Sequence, residues 1–294
     1  MNDIDEGGTC ICCTYKPVGS YFVKKTQDSE FSIRRCPDCQ CAYVYPRPSS
    51  YEIEQYYQNT SYNNFTIEQV RRLDLRYYPD TSADSNRIID RCWSLKKGDN
   101  FLDVGAGFGS FSHAAKKWGF CVSACEPNRN ARAVFYQTNG FKPDACGFDR
   151  KFASHHKKKY DVVLLSQVLE HIVDPNEMVQ NIYTVLRDNG SAAIAVPHFG
   201  SALSKIQGKN DMYISPPEHL NFFSKKGLIK LFQRHDFTLE AFETVTKVNK
   251  GRIEDRISNA TLSYITWRGL YFFLKIFERM DMGMVINAFF RKIS

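Results

Sequence analysis

The sequence predicts an α/β protein: a mostly parallel, doubly wound sheet preceded by a small cysteine-rich module. Three observations carry this prediction. Six of the ten cysteines fall within the first 41 residues. From residue 99 onward, short apolar runs of strand length alternate with helix-length stretches, the pattern of a parallel sheet with helical crossovers. One glycine-rich turn, "DVGAGFG", joins the first of those runs to the helix that follows it.

The 294 residues suffice for one large domain with attachments, and 43% hydrophobic with 24% charged residues is a soluble globular composition. No apolar run reaches the length of a membrane-spanning helix. The N-terminus "MNDIDEGGTC" is acidic and has no apolar core of a secretory signal, so the expected location is cytoplasmic. The net charge of +7 is partly local, in "HHKKKY" and in "FFRKIS" at the end. A basic surface fits nucleic acid, acidic lipid, an anionic small substrate or a solvated face.

In the first element, residues 1–48, "CICC" and "CPDC" place Cys10/Cys13 and Cys36/Cys39 in two C-x-x-C knuckles. Two knuckles joined by a longer loop bring four thiolates to one tetrahedral Zn²⁺, a closed and therefore structural site. A module of this size buries too little apolar surface to fold alone, and a metal supplies the missing stability. "YPRP" then interrupts regular structure, and Ser49 with Glu52 has the spacing of a capping box that starts a helix. Residues 49–84 are rich in tyrosine and are expected to form a helical linker or lid. The remainder, 85–294, is the α/β domain.

Within that domain "FLDV" is the first strand, and Gly105, Gly107 and Gly109 follow it in a turn that leads into a helix. Such a turn lets backbone approach a nucleotide-type cofactor. The spacing is not the dinucleotide G-x-G-x-x-G, and Asp103 before the first glycine would repel a pyrophosphate while suiting a cationic amino acid. The second strand, "FCVSACEP", ends in Glu126, placed to accept two ribose hydroxyls. A third strand is faint around "KPDAC", the fourth is "YDVVLLS" and the fifth "GSAAIAVP". Helices are expected over 127–139 and 175–187. Residues 237–248 supply a sixth strand and 282–292 a seventh, antiparallel one. Between those two, 253–280 reads as a helix with an aromatic face suited to packing, homodimer formation or peripheral membrane contact.

These motifs together resemble the class I S-adenosylmethionine-dependent methyltransferases. "LDVGAGFGSF" resembles their first motif, "CEP" their ribose-binding acid and "YDVVLLSQVLEHIVDP" their fourth-strand motif; the likeness covers about residues 85–294. The knuckles followed by "YPRP" resemble a subgroup with an N-terminal zinc-binding module, which includes deoxysugar C-methyltransferases and enzymes of polysaccharide clusters. The resemblance implies a Rossmann-like seven-stranded sheet, parallel with an antiparallel last strand, plus a small zinc ribbon. It implies S-adenosylmethionine as cofactor, held by Asp103, Gly105, Ala106, Gly107 and Gly109, by Glu126 and Pro127, and by the backbone of Ser166, Gln167 and Val168.

Methyl transfer to a hydroxyl or a carbon acid also needs a base at the carboxyl ends of the strands. Two Glu-His pairs qualify: Glu170-His171 after the fourth strand, and Glu218-His219 in "SPPEHLNFF". In the resembling sugar enzymes the pair matching Glu218 and His219 supplies the base, and a histidine matching His171 lies in the same site. Those enzymes also use a histidine from the region after the zinc module, and none occurs here before His113. In ubiquinone-pathway O-methyltransferases an E-x-x-E-H motif binds a divalent metal. Here Gln167 replaces its first glutamate, which argues against a metal at Glu170/His171.

The expected reaction is therefore methylation of a small-molecule or glycan acceptor, a sugar or sugar nucleotide of carbohydrate biosynthesis. The alternatives are an RNA-directed methyltransferase and a non-catalytic cofactor-binding regulatory subunit. The place of the D/N-P-P-Y/F motif of base methylases holds "SQVL", and no cysteine follows Cys146, so nucleic acid is disfavoured.

Overall fold

A computed structural model describes residues 9–16, 20–26, 29–59, 81–246 and 260–293. The chain opens with a small antiparallel sheet, β1 (Phe22–Lys25), β2 (Glu30–Arg35) and β3 (Ala42–Val44). Helix α1 (Ser50–Asn59) follows, and its start is the expected capping box. The Ser49 N–H donates to Glu52 Oε2 at 2.7 Å, and the Glu52 N–H donates back to Ser49 Oγ at 3.2 Å. Most of the tyrosine-rich stretch, 60–80, lies outside the described residues, and the chain resumes in α2 (Thr81–Leu95).

The α/β domain then builds four parallel strands: β4 (Asn100–Val104), β5 (Cys121–Cys125), β6 (Tyr160–Ser166) and β7 (Leu186–Pro197). Their crossovers carry α3 (Ser110–Trp118), α4 (Arg129–Asn139), α5 (Arg150–His155) and α6 (Pro175–Val185). After β7 and α7 (Ala202–Gln207) the chain returns to the N-terminal module, where β8 (Asn221–Phe222) pairs with β3 as a fourth strand. Helix α8 (Lys225–Gln233) leads back to β9 (Phe237–Val245). Helix α9 (Ala260–Arg279) precedes β10 (Val285–Lys292), which runs antiparallel between β7 and β9.

The resulting order, β5-β4-β6-β7-β10-β9, is the expected sheet with its antiparallel last strand, in six strands among the described residues where seven were expected. The faint third strand is reduced to a single parallel bridge between Asp144 and Cys125. Its run, "KPDAC", contains a proline and too few apolar side chains to extend a ladder.

The alternation of side chains along each strand separates two cores. Leu102, Val163, Leu165, Ile194 and Phe290 face Val179, Leu228 and Phe232 on one side. Phe101, Val162, Leu164, Ala193 and Phe289 face Ile88, Ile89 and Ala115 on the other. Both faces are covered, so β6 reads as an uninterrupted apolar run rather than an alternating one. Helix α9 keeps large apolar side chains in solvent, Phe272 at 74% and Ile265 at 60% exposed. No helix among the described residues is long and apolar enough to cross a membrane.

The module is joined to α8 by tight polar and steric contacts. Ser224 caps α8 through the Gly227 N–H at 3.0 Å, donates from Oγ to the Cys39 carbonyl at 2.5 Å, and donates from N–H to Cys41 Sγ at 3.2 Å. Gly227 is required by approach: a Cβ there would lie 2.0 Å from Cys41 Sγ. Asp38 accepts from Lys226 at 2.9 Å and from Lys230 at 2.6 Å. Overpacking at a buried contact costs about 1–3 kcal/mol, whereas one exposed ion pair is worth at most about 1. In chemical denaturation, Gly227→Ala is therefore expected to lower stability by about 2 kcal/mol, with Lys226→Ala costing less than half as much. Equal losses would contradict the packing argument.

Candidate functional site

Ligands of open α/β sheets bind where the strand order reverses, and here that point lies between β4 and β6. The glycine turn follows β4. Gly105 and Ala106 donate their N–H groups to the Cys125 carbonyl at 2.9 and 3.1 Å, which folds the turn against the end of β5. Gly105 has φ +65°, and a Cβ there would meet Val168 Cγ2 at 2.7 Å. Val168, from the turn after β6, thus packs directly on the glycine turn. Gly107, also left-handed, has nothing among the described residues within 4 Å of its Cβ position, so this backbone borders open space. Gly109 is the N-cap of α3.

Glu126 is 7% exposed. Its Oε2 accepts the Gly107 N–H at 2.8 Å and its Oε1 the Asn128 N–H at 2.7 Å, while burial pushes its carboxyl above the usual range. A carboxylate offers about four lone-pair sites, so both oxygens retain capacity for a vicinal diol. Pro127 is exposed beside it. Asp103 is buried at 2% and accepts from Ser112 Oγ at 2.7 Å. Burial pushes it up to about 7, against the lowering effect of the Ser112 hydrogen bonds.

At the end of β6, Ser166, Gln167 and Val168 are half-buried. Gln167 takes φ +57°, and its N–H donates to the Ala195 carbonyl at 2.8 Å. Ser166 and Gln167 line a cleft together with Arg87, Phe111, Val245 and Asn287. Sequence reasoning did not single out these last four. They come from α2, α3, β9 and β10, and no local spacing marks them as neighbours.

Beyond Val168 the chain makes one 3-10 turn, Leu169–His171. This turn is held by groups from elsewhere. The Leu220 N–H donates to the Glu170 carbonyl at 2.8 Å, and Asn221 Nδ2 donates to the carbonyls of Leu169 at 3.0 Å and Ile172 at 2.8 Å. Arg47 donates to the carbonyls of Leu220 at 3.0 Å, Ile172 at 3.1 Å and Val173 at 2.5 Å. Arg47, inside "YPRP", was visible in the sequence only as part of a break in regular structure.

These bonds bring both Glu-His motifs together, in a different pairing from their order in the chain. The rings of His171 and His219 are 4.7 Å apart, edge to face. His171 Nδ1 donates to the Glu218 carbonyl at 2.8 Å, and His219 Nδ1 to the Tyr213 carbonyl at 2.7 Å. A carbonyl can only accept, so each ring carries a proton on Nδ1, and in the neutral ring the lone pair is on Nε2. The carboxylate that faces them is Glu170, 1% exposed, with Oε1 3.9 Å from His171 Nε2. Burial pushes Glu170 up to about 8 and His171 down to about 4. The Glu218 side chain is exposed. His198, which directly follows β7, is buried and donates from Nδ1 to the Gly283 carbonyl at 3.0 Å.

In the N-terminal module the Sγ atoms of Cys10, Cys13, Cys36 and Cys39 all lie within 4.8 Å of one another, with Cys10–Cys39 and Cys13–Cys36 both at 3.5 Å. Four sulfurs at about 2.3 Å from one Zn²⁺ stand roughly 3.8 Å apart, so the donor set and the spacing fit such an ion.

A model of a methyltransferase-domain family matches residues 75–241. No curated protein matches the sequence. Among solved structures, a methyltransferase of Thermotoga maritima, described as S-adenosylmethionine-dependent and as a possible histamine N-methyltransferase, is 14% identical. It covers 79% of this chain and 98% of its own, with TM-score 0.54. The 1,6-didemethyltoxoflavin N1-methyltransferase of Burkholderia thailandensis, solved with 1,6-didemethyltoxoflavin and S-adenosylhomocysteine, is 14% identical over 92% of this chain and 99% of its own, with TM-score 0.52. A sarcosine dimethylglycine methyltransferase assignment from Galdieria sulphuraria is 17% identical over 73% and 86%, with TM-score 0.51. At such identities the likeness shows the fold.

The Asp103 shift predicts a pH dependence. A carboxyl whose folded-state value is raised to about 7 favours the acid form of the fold. Its contribution to stability is complete below the unfolded value near 4 and is lost as pH rises through 7. The cofactor-free protein should lose about 4 kcal/mol from this group across that window, and Asp103→Asn should remove that part of the slope. Denaturation midpoints at several pH values measure it; an unchanged slope in Asp103→Asn would show that Asp103 ionises normally.

Proposed function

Because this chain belongs to the methyltransferase-domain family and is an S-adenosylmethionine-dependent methyltransferase, we propose that it methylates a hydroxyl or acidic carbon of a small-molecule or glycan acceptor, a sugar or sugar nucleotide of carbohydrate biosynthesis. The observation that carries the reading is the pair of tautomer-fixed imidazoles, His171 and His219, standing directly after the turn that borders the glycine loop. An amine acceptor can lose its proton to water, whereas a hydroxyl or carbon acid benefits from a positioned base.

S-adenosylmethionine, when bound, supplies a methyl group made electrophilic by its sulfonium. The protein's share is binding, orientation and proton removal. We assign the ribose diol to the remaining lone pairs of Glu126, beside Pro127. The amino-acid portion goes to Asp103 with the backbone of Gly105, Ala106, Gly107 and Gly109, and the methionine side to the backbone of Ser166, Gln167 and Val168. His219 takes the acceptor proton on Nε2, and the exposed carboxylate of Glu218 beside it passes that proton to solvent. His171, held neutral by burial, orients the acceptor with Glu170. In this reading residues 1–48 are a zinc-binding module, with a structural Zn²⁺ on Cys10, Cys13, Cys36 and Cys39. Residues 49–84, of which 60–80 lie outside the described residues, are its linker or lid to the catalytic domain, 85–294.

Labelled S-adenosylmethionine incubated with a panel of nucleotide sugars, read by mass, tests the acceptor class. A labelled nucleotide sugar is the expected result. Label found only on amines or nucleic acid would overturn it. With a turned-over acceptor in hand, His219→Ala should reduce turnover by about 10²–10⁴-fold, while S-adenosylhomocysteine affinity stays within a few-fold. Unchanged turnover would remove His219 as the base.

A further inference from the structure

The cluster after β6 has a feature that proton transfer does not require. Both carboxylate oxygens of Glu170 are buried and, among the described residues, have no hydrogen-bond partner. A buried carboxyl group with no partner forfeits the hydrogen bonds it makes in water, so the fold retains Glu170 at a cost in stability. What it faces is two ring nitrogens. One oxygen of Glu170, a ring nitrogen of His171 and a ring nitrogen of His219 all lie within 4.8 Å of one another.

The histidines are oriented as metal-bound histidines are. Each donates its Nδ1 proton to a backbone carbonyl, which leaves the lone pair of the neutral ring on Nε2, and His171 Nε2 stands 3.9 Å from Glu170 Oε1. Gln167, the residue whose neutral amide spoke against a metal at this turn, plays no part in the cluster; its Nε2 reaches the Ala195 carbonyl at 3.4 Å. The third donor is His219, brought in by the loop that follows β7 and held there through Leu220 and Asn221. Two imidazoles and one carboxylate suit borderline cations such as Zn²⁺, Co²⁺ or Ni²⁺, whereas Mg²⁺ and Ca²⁺ prefer oxygen-only sets. Ligands at about 2.1 Å from a tetrahedral ion stand roughly 3.4 Å apart, within reach of small side-chain rotations from the present positions.

We propose that Glu170, His171 and His219 form a binding site for one divalent transition-metal ion, distinct from the four-cysteine module and with one coordination position open. A consequence rests on the functional reading above. An ion on His219 Nε2 occupies the lone pair that would take the acceptor's proton, so metal occupancy and base function exclude one another and the ion is a reversible inhibitor.

The test adds Co²⁺ to the full-length enzyme purified with its cysteine module metal-loaded, and reads visible absorption together with methyl transfer. The expected result is one added equivalent giving ligand-field bands without sulfur-to-cobalt charge transfer. Binding should be at least tenfold weaker in Glu170→Gln and in His171→Ala, and unaltered in His155→Ala, an exposed control. Glu170→Gln is isosteric, and its S-adenosylhomocysteine affinity reports that it is folded. No such bands, or bands that survive Glu170→Gln unchanged, would overturn the site. Methyl transfer should fall with Co²⁺ occupancy and recover on dialysis. Occupancy without inhibition would leave the metal site standing and overturn His219 as the base.

Discussion

The turn Leu169–Val173 gives its backbone carbonyls to groups from two other parts of the chain, and the candidate site depends on that clamp. Leu220 and Asn221 hold it from the loop after β7, and Arg47 holds it from the end of the N-terminal module. The same loop continues as β8 into the module's sheet and then caps α8 at Ser224 against Cys39 and Cys41. The cysteine module, the loop after β7 and the strand-end turn therefore form one connected polar framework. Asn221 is 1% exposed, so each of its bonds is made where water cannot substitute. Breaking such a bond costs the desolvation of the stranded carbonyl, about 1–3 kcal/mol.

The clamp has a chemical result. Val168 leans on Gly105 of the cofactor-type loop, while Glu170 and His171, two and three residues further on, meet His219. The backbone proposed to border the cofactor and the residues proposed to meet the acceptor are consecutive on one short stretch fixed at both edges. An alignment-dependent reaction gains most from such fixation, since a displacement of about 1 Å can cost two orders of magnitude in rate. Glu126 and Asp103 sit on the opposite border, at the carboxyl ends of β5 and β4, and both are buried carboxyl groups stabilised by short hydrogen bonds.

Much of this was legible in the sequence where the signal is local. The glycine turn, Glu126 at the next strand end, the Ser49–Glu52 capping box and the two cysteine knuckles are each set by spacing within a few residues or by one strand–helix unit. The buried strands followed from their apolar runs. What could not be read depends on contacts between distant segments. Asn221–Phe222 looks like part of a loop, and its strand character comes only from pairing with Ala42–Tyr43. Arg47 is one basic residue between two prolines until its guanidinium meets three carbonyls. The two Glu-His motifs suggested two sequential pairs, whereas the fold joins both histidines to Glu170 and leaves the Glu218 side chain in solvent. Sequence order carries no information about which ring nitrogen faces which carboxylate.

Whether the N-terminal module positions the turn after β6 for methyl transfer is measured by Arg47→Met. That substitution keeps the apolar stem and removes the three donated hydrogen bonds. S-adenosylhomocysteine affinity should stay within about threefold while turnover falls by about 10²-fold. Turnover retained at the level of the unmodified protein would contradict that positioning.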